Sequence, residues 1–89
     1  MSRTKTKHSL EHGLSIGATA EVTGVEIHTL RYWEREFAGY LVPARTEGGQ
    51  RRYLASDIQA VMTLSRLLRD EMFSVAGAKR YLQNCRKAS

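Results

Sequence analysis

Arg45-Thr46-Glu47-Gly48-Gly49-Gln50-Arg51-Arg52-Tyr53 is the stretch on which the fold turns. Gly48 and Gly49 accept positive φ without steric cost, so Glu47-Gly48-Gly49 predicts a turn joining two short strands, Leu41 to Arg45 and Gln50 to Tyr53. Strands this short need a neighbour to lean on. Arg45 precedes the turn while Arg51 and Arg52 follow it, and strand alternation sends the latter two to opposite faces. A cationic cluster on a Gly-rich hairpin serves no core and repels itself until an anion neutralises it. The hairpin therefore reads as a surface for an anionic partner.

Upstream, Gly39 and Pro43 separate the hairpin from two helical patterns, because proline lacks a backbone donor and pushes Val42 toward an extended conformation. The first pattern, Ser15 to Gly24, places Ile16, Ala20 and, less regularly, Val22 on one side between a capping serine and a terminating glycine. The second starts near Glu26, with Ile27, Leu30, Trp33 and Phe37 forming its apolar stripe. Two helices joined this tightly predict a helix-turn-helix. Downstream, Ser56-Asp57-Ile58-Gln59 matches a capping box ahead of Ile58, Val61, Met62, Leu64, Leu67 and Leu68 at helical spacing. A break at Asp70 to Phe73 precedes a last helix, capped by Ser74 and carrying Val75, Ala78, Tyr81 and Leu82 on one face. The expected fold is mainly α with a small β-hairpin: a winged helix-turn-helix of about four helices.

The chain has 89 residues, 42% of them hydrophobic, which is enough for one core and too little for two. A polar, basic arm spans residues 1–13 and is expected to be flexible. One domain follows over 14–85, and 86–89 is expected to be disordered. Fourteen Lys and Arg against nine Asp and Glu give a net charge of +5, which favours a polyanionic partner. No apolar run is long enough for a membrane span, and no apolar h-region follows the basic N-terminus, so a cytoplasmic, nucleoid-associated location is expected. A single cysteine, Cys85, permits no internal disulfide.

In a helix-turn-helix the second helix enters the major groove of DNA, its N-terminal side chains nearest the bases. With its apolar stripe turned inward, the outward face offers His28, Thr29, Arg31, Tyr32 and Arg35, donors suited to phosphates and purine edges. Arg45, Arg51, Arg52 and Tyr53 are the corresponding candidates on the hairpin. Trp33 and Phe37 read as core residues rather than stacking platforms, and Arg66, Arg69, Lys79 and Arg80 as ordinary solvated surface.

Ser15-Ile16-Gly17, Thr23-Gly24-Val25, Thr29-Leu30-Arg31-Tyr32-Trp33-Glu34, Pro43, Arg45 to Tyr53 and Asp57 together resemble the DNA-binding domain of MerR-type transcription factors. The resemblance covers Ser15 to about Leu82. It implies a recognition helix in the major groove, a hairpin wing on the flanking backbone and a second wing between the last two helices. Thr29, Arg31 and Tyr32 fall on the family's recognition-helix contacts, Arg45 and Arg51 on its wing, and Trp33 on a packing position. The family binds palindromic promoter DNA as homodimers and distorts it. Its dimeric members continue into a coiled-coil helix and an effector domain, whereas this sequence ends at Ser89, so no effector ligand is expected within it. A fragment, a short member that dimerises otherwise and a monomeric binder all remain open. Glu26 stands where the family often has a better helix cap, and Glu36 to Val42 makes a longer link to the wing.

Four other classes are weighed. An excisionase-like or architectural DNA-binding protein shares the small winged design, and a protein-interaction module could use the same surface. A metal or redox sensor would need more ligands than Cys85, even with His8 and His12 in the arm, so no metal and no cofactor is expected. No nucleophile sits with a base and an orienting partner, and no Gly-rich phosphate loop follows a strand, which argues against an enzyme.

Overall fold

The computed structural model describes residues 13–88. In chain order the elements are α1 (Ile16–Thr23), α2 (Ile27–Glu36), β1 (Ala44–Arg45), β2 (Arg51–Arg52), α3 (Ala55–Ser65), a π-helical turn (Arg66–Asp70) and α4 (Val75–Ala88). This is the winged helix-turn-helix expected from the sequence. The flexible arm proposed for 1–13 lies outside the described residues except for Gly13, which is built into the fold. The last helix is Val75–Ala88.

α1 starts where Ser15 Oγ accepts from the Ala18 amide at 3.1 Å, and it stops where Gly24 takes a left-handed conformation (φ 77°). Thr23 Oγ1 then donates to the Thr19 carbonyl and accepts from the Val25 amide, fixing the turn. Val25 is fully buried there. It takes the core position that the apolar period assigned to Ile27, and Ile27 is turned outward at 40% exposure. Val22 is likewise on the outside rather than on the apolar face of α1, where the buried residue is Thr19.

The core is one cluster that joins Val25, Leu30, Trp33 and Phe37 to Leu41, Tyr53, Val61, Leu64, Leu67, Ala78 and Leu82. Burial of each large side chain contributes about 1.5–3 kcal/mol. Ala78 is fully buried, so α4 packs closely against its neighbours. α3 begins two residues earlier than its Ser-x-x-Gln pattern suggested. Leu54 is the N-cap residue, and Asp57 caps the helix by accepting the Leu54 amide at 2.9 Å. Met62, placed on the apolar face by spacing, is exposed.

At Arg66 the α-helical ladder widens. The Glu71 amide donates to the Arg66 carbonyl, five residues back, and the Phe73 amide to Leu67. Met72 then adopts φ 61° and is 79% exposed, and Ser74 Oγ accepts the Gly77 amide at 3.0 Å to start α4. Phe73 meets the ring of Tyr81 edge-on at 5.5 Å, which keeps that otherwise exposed tyrosine against the turn.

β1 and β2 pair antiparallel with Ala44 opposite Arg52 and Arg45 opposite Arg51. Gly49, at φ 83°, closes the turn, and the Thr46 hydroxyl accepts the Gln50 amide. Leu14 adds a bridge to Tyr53 through two backbone hydrogen bonds of 2.8 Å, so the residues just before α1 extend the hairpin. Gly13 lies so close that a Cβ there would sit 3.1 Å from Arg52 Cβ.

Thr19 is fully buried, and its hydroxyl has no hydrogen-bond partner among the described residues. Thr19→Val keeps the shape and removes the stranded polar group, so it should raise stability by about 1 kcal/mol or more. Thermal unfolding would show this as a higher Tm, and a lower Tm would contradict it.

Candidate nucleic-acid interface

α2 carries acids and bases on different sides. Leu30, Trp33 and Phe37 face the core, and on the opposite side His28, Arg31, Tyr32 and Arg35 are all exposed. The Arg35 guanidinium lies 5.7 Å from the Tyr32 ring centroid, a cation–π contact that orients both. His28 Nε2 is 3.4 Å from a carboxylate oxygen of Glu26 at the head of the helix. Thr29 is half-buried at the edge of this face. Glu26 does not cap the helix with its side chain and points that group outward instead.

The hairpin is joined to α2 through Glu34. Its side chain is 11% exposed, and its carboxylate accepts from Arg51 Nε at 2.6 Å and from the Tyr53 hydroxyl. Arg45 is a looser third partner, an ion pair at 3.9 Å, with 53% of its side chain exposed and a hydrogen bond donated to the Gly49 carbonyl. Burial first, and the hydrogen bond to Glu34 second, hold the Tyr53 phenol pKa well above the ordinary tyrosine range.

These contacts revise the hairpin candidates. Tyr53, expected at the interface, is fully buried, and its hydroxyl donates to Glu34. Arg51 is half-buried and ion-paired, its side chain 21% exposed. Arg45 is open, and Arg52 lies half-buried on the other face of the strand beside Gly13. The structure thus brings His28, Arg31, Tyr32, Arg35 and Arg45 to the surface and sets Tyr53 apart.

Glu34 was missed in the sequence, although its position was informative: it follows the core residue Leu30 by one turn and precedes Phe37 by three residues, so it had to lie at the core margin. Arg69, read as solvated surface, in fact reaches the Gly24 carbonyl at 3.5 Å and lies 5.9 Å from the Trp33 ring centroid. Lys79 pairs with Glu36 at 3.3 Å and ties α4 to the end of α2. Both contacts are long-range and leave no local pattern. His8 and His12 lie outside the described residues, and no helix among the described residues is long and apolar enough to cross a membrane.

A tight helix pair with a cationic outer face and a basic hairpin held beside it define a winged helix-turn-helix of the kind found in DNA-binding transcription regulators. The chain belongs to the MerR HTH family of regulatory proteins, whose model matches residues 14–85. It is 37% identical over 68 residues to the putative heat shock protein HspR of Streptomyces coelicolor, an alignment covering 76% of this chain and 44% of that protein. It is 39% identical over 66 residues to the HTH-type transcriptional repressor CarA of Myxococcus xanthus, covering 73% and 23% of the two chains. With the repressor CarH of the same organism it shares 36% over 72 residues, 81% of this chain and 23% of the relative. The chain spans less than half the length of these curated relatives.

The Glu34 contacts predict an unequal response to substitution. Glu34→Ala strands the Tyr53 hydroxyl and the Arg51 guanidinium and should cost about 2–3 kcal/mol, read from denaturant unfolding. Arg45→Ala should cost less than about 0.5 kcal/mol, because that pair is long and solvent-screened. The raised Tyr53 pKa also gives a signed pH effect. The neutral phenol is favoured by folding, so its contribution is complete below the ordinary tyrosine pKa of about 10 and is lost as pH rises beyond it. In a spectroscopic titration of the four tyrosines, one should ionise late, and that late step should vanish in Tyr53→Phe.

Proposed function

We propose that this domain binds double-stranded DNA sequence-specifically and regulates transcription through it, with α2 in the major groove and the β1–β2 hairpin on the phosphate backbone beside it. The observation that carries this reading is the Glu34 junction, which locks the cationic outer face of α2 and the arginine hairpin into one surface. Arg31 and Arg35, with His28, Thr29 and Tyr32, supply donors toward base edges and phosphates. Arg45, exposed and loosely paired, is the wing cation that exchanges Glu34 for a phosphate. Arg51 acts as the strut that holds the hairpin in register, and Arg52 adds positive charge on its far side. The repressor names of two relatives support a transcriptional role for this binding.

Binding to duplexes enriched from a randomised pool, measured across a salt series, tests the proposal. Affinity should fall linearly in log–log form with salt, and Arg45→Ala should reduce the slope by about 1 without lowering Tm. Arg31→Ala should cost about 1–3 kcal/mol on the enriched sequence and relax its selection at one position. Arg51→Ala should lower affinity on every duplex together with Tm, as expected of a strut. Affinity that ignores salt, or equal binding to enriched and scrambled duplexes, would refute the reading.

A further inference from the structure

We propose that Ile27 reads the 5-methyl group of a thymine from the first turn of α2, an inference that rests on the DNA-binding reading above. The apolar period assigns Ile27 to the core, but Val25, buried in the preceding turn, fills that place, and Ile27 stands 40% exposed. Other residues, Ile16 and Ala20 among them, supply the half-buried margin of the core. A lone exposed isoleucine is ordinary on a protein surface. This one lies one turn ahead of Arg31 and two ahead of Arg35, on the cationic side of the helix, between the exposed side chains of Glu26 and His28.

Residues at the N-terminus of a recognition helix are those that reach base edges. Among the groups the standard base pairs present in the major groove, the thymine methyl is the apolar one. A β-branched side chain with a restricted χ1 offers a fixed apolar surface to it. The flanking arginines bring the phosphates of the same duplex within reach, so charge complementarity and apolar contact select one occupant: a T·A pair set beneath the helix N-terminus.

The test uses the full chain and a duplex enriched by it from a randomised pool, with each thymine replaced singly by deoxyuridine. At one position the loss of the methyl should weaken binding roughly three- to fivefold, the effect of one methyl withdrawn from contact. Ile27→Val should retain most of that sensitivity, and Ile27→Ala should abolish it while keeping its unfolding temperature. The inference is overturned if no replacement alters affinity, if the loss persists undiminished in Ile27→Ala, or if Ile27→Ala weakens thymine and deoxyuridine duplexes alike. A failure to enrich any duplex would instead remove the DNA-binding reading, and this inference with it.

Discussion

The carboxylate of Glu34 is the junction on which the arrangement of helix and hairpin depends. A group only 11% exposed has lost most of its water, and it is compensated by a guanidinium at 2.6 Å and a phenol hydroxyl. Such pairs contribute little net stability compared with well-packed apolar residues, but their geometry is specific. Two strands of two residues each cannot fix their own orientation. Tyr53 supplies the remaining constraint: its ring is in the core, its hydroxyl reaches α2 and its backbone pairs with Leu14. The hairpin is therefore held from the core, from the helix and from the chain ahead of α1.

The same logic sorts the charges of α2. Glu34 is directed to the hairpin, Glu36 to Lys79 on α4, and Trp33 lies under Arg69 from the π-helical turn. Each contact on the protein side of the helix ties it to a different element. Arg31 and Arg35 are left on the opposite side, exposed and next to Tyr32 and His28. A helix with interleaved acids and bases in sequence thus becomes, in space, one that is anchored by its acids and presents its bases. That separation creates a directed positive field that the net charge of +5 does not by itself specify.

Most of the scaffold was legible because its signals are local. Ser15 and Gly24 bracket α1, Ser74 starts α4 and Gly49 turns the hairpin, each through a conformational preference of that residue. Local signals are silent where a distant partner decides the outcome. Tyr53 alternates correctly for a strand, but nothing nearby reveals that Glu34 receives its hydroxyl. Gly13 looks like the end of a polar arm until Leu14 is seen pairing with Tyr53. Ile27 fits a helical stripe that Val25, two residues earlier in the turn, already completes. The π-helical turn reads only as a break, because its five-residue hydrogen bond has no sequence signature.

The rigidity of the junction bears on how selection among DNA sequences is divided. A wing on a loose hinge could follow the backbone of any duplex, and affinity would then rise without discrimination. Here the wing cannot shift relative to α2 without breaking the Arg51 and Tyr53 bonds to Glu34 and withdrawing an aromatic ring from the core. On the DNA reading proposed above, the duplex must therefore conform to a fixed spacing between groove and phosphates. Sequences that reach that spacing cheaply are favoured even at positions no side chain touches. On the same reading, a pre-formed junction needs little reorganisation on binding, so more of the contact energy of the exposed face would appear as affinity. Direct selection would then fall to the few side chains at the head of α2, and on the proposed reading the Glu34 junction would make the wing a gauge of DNA shape as well as an anchor.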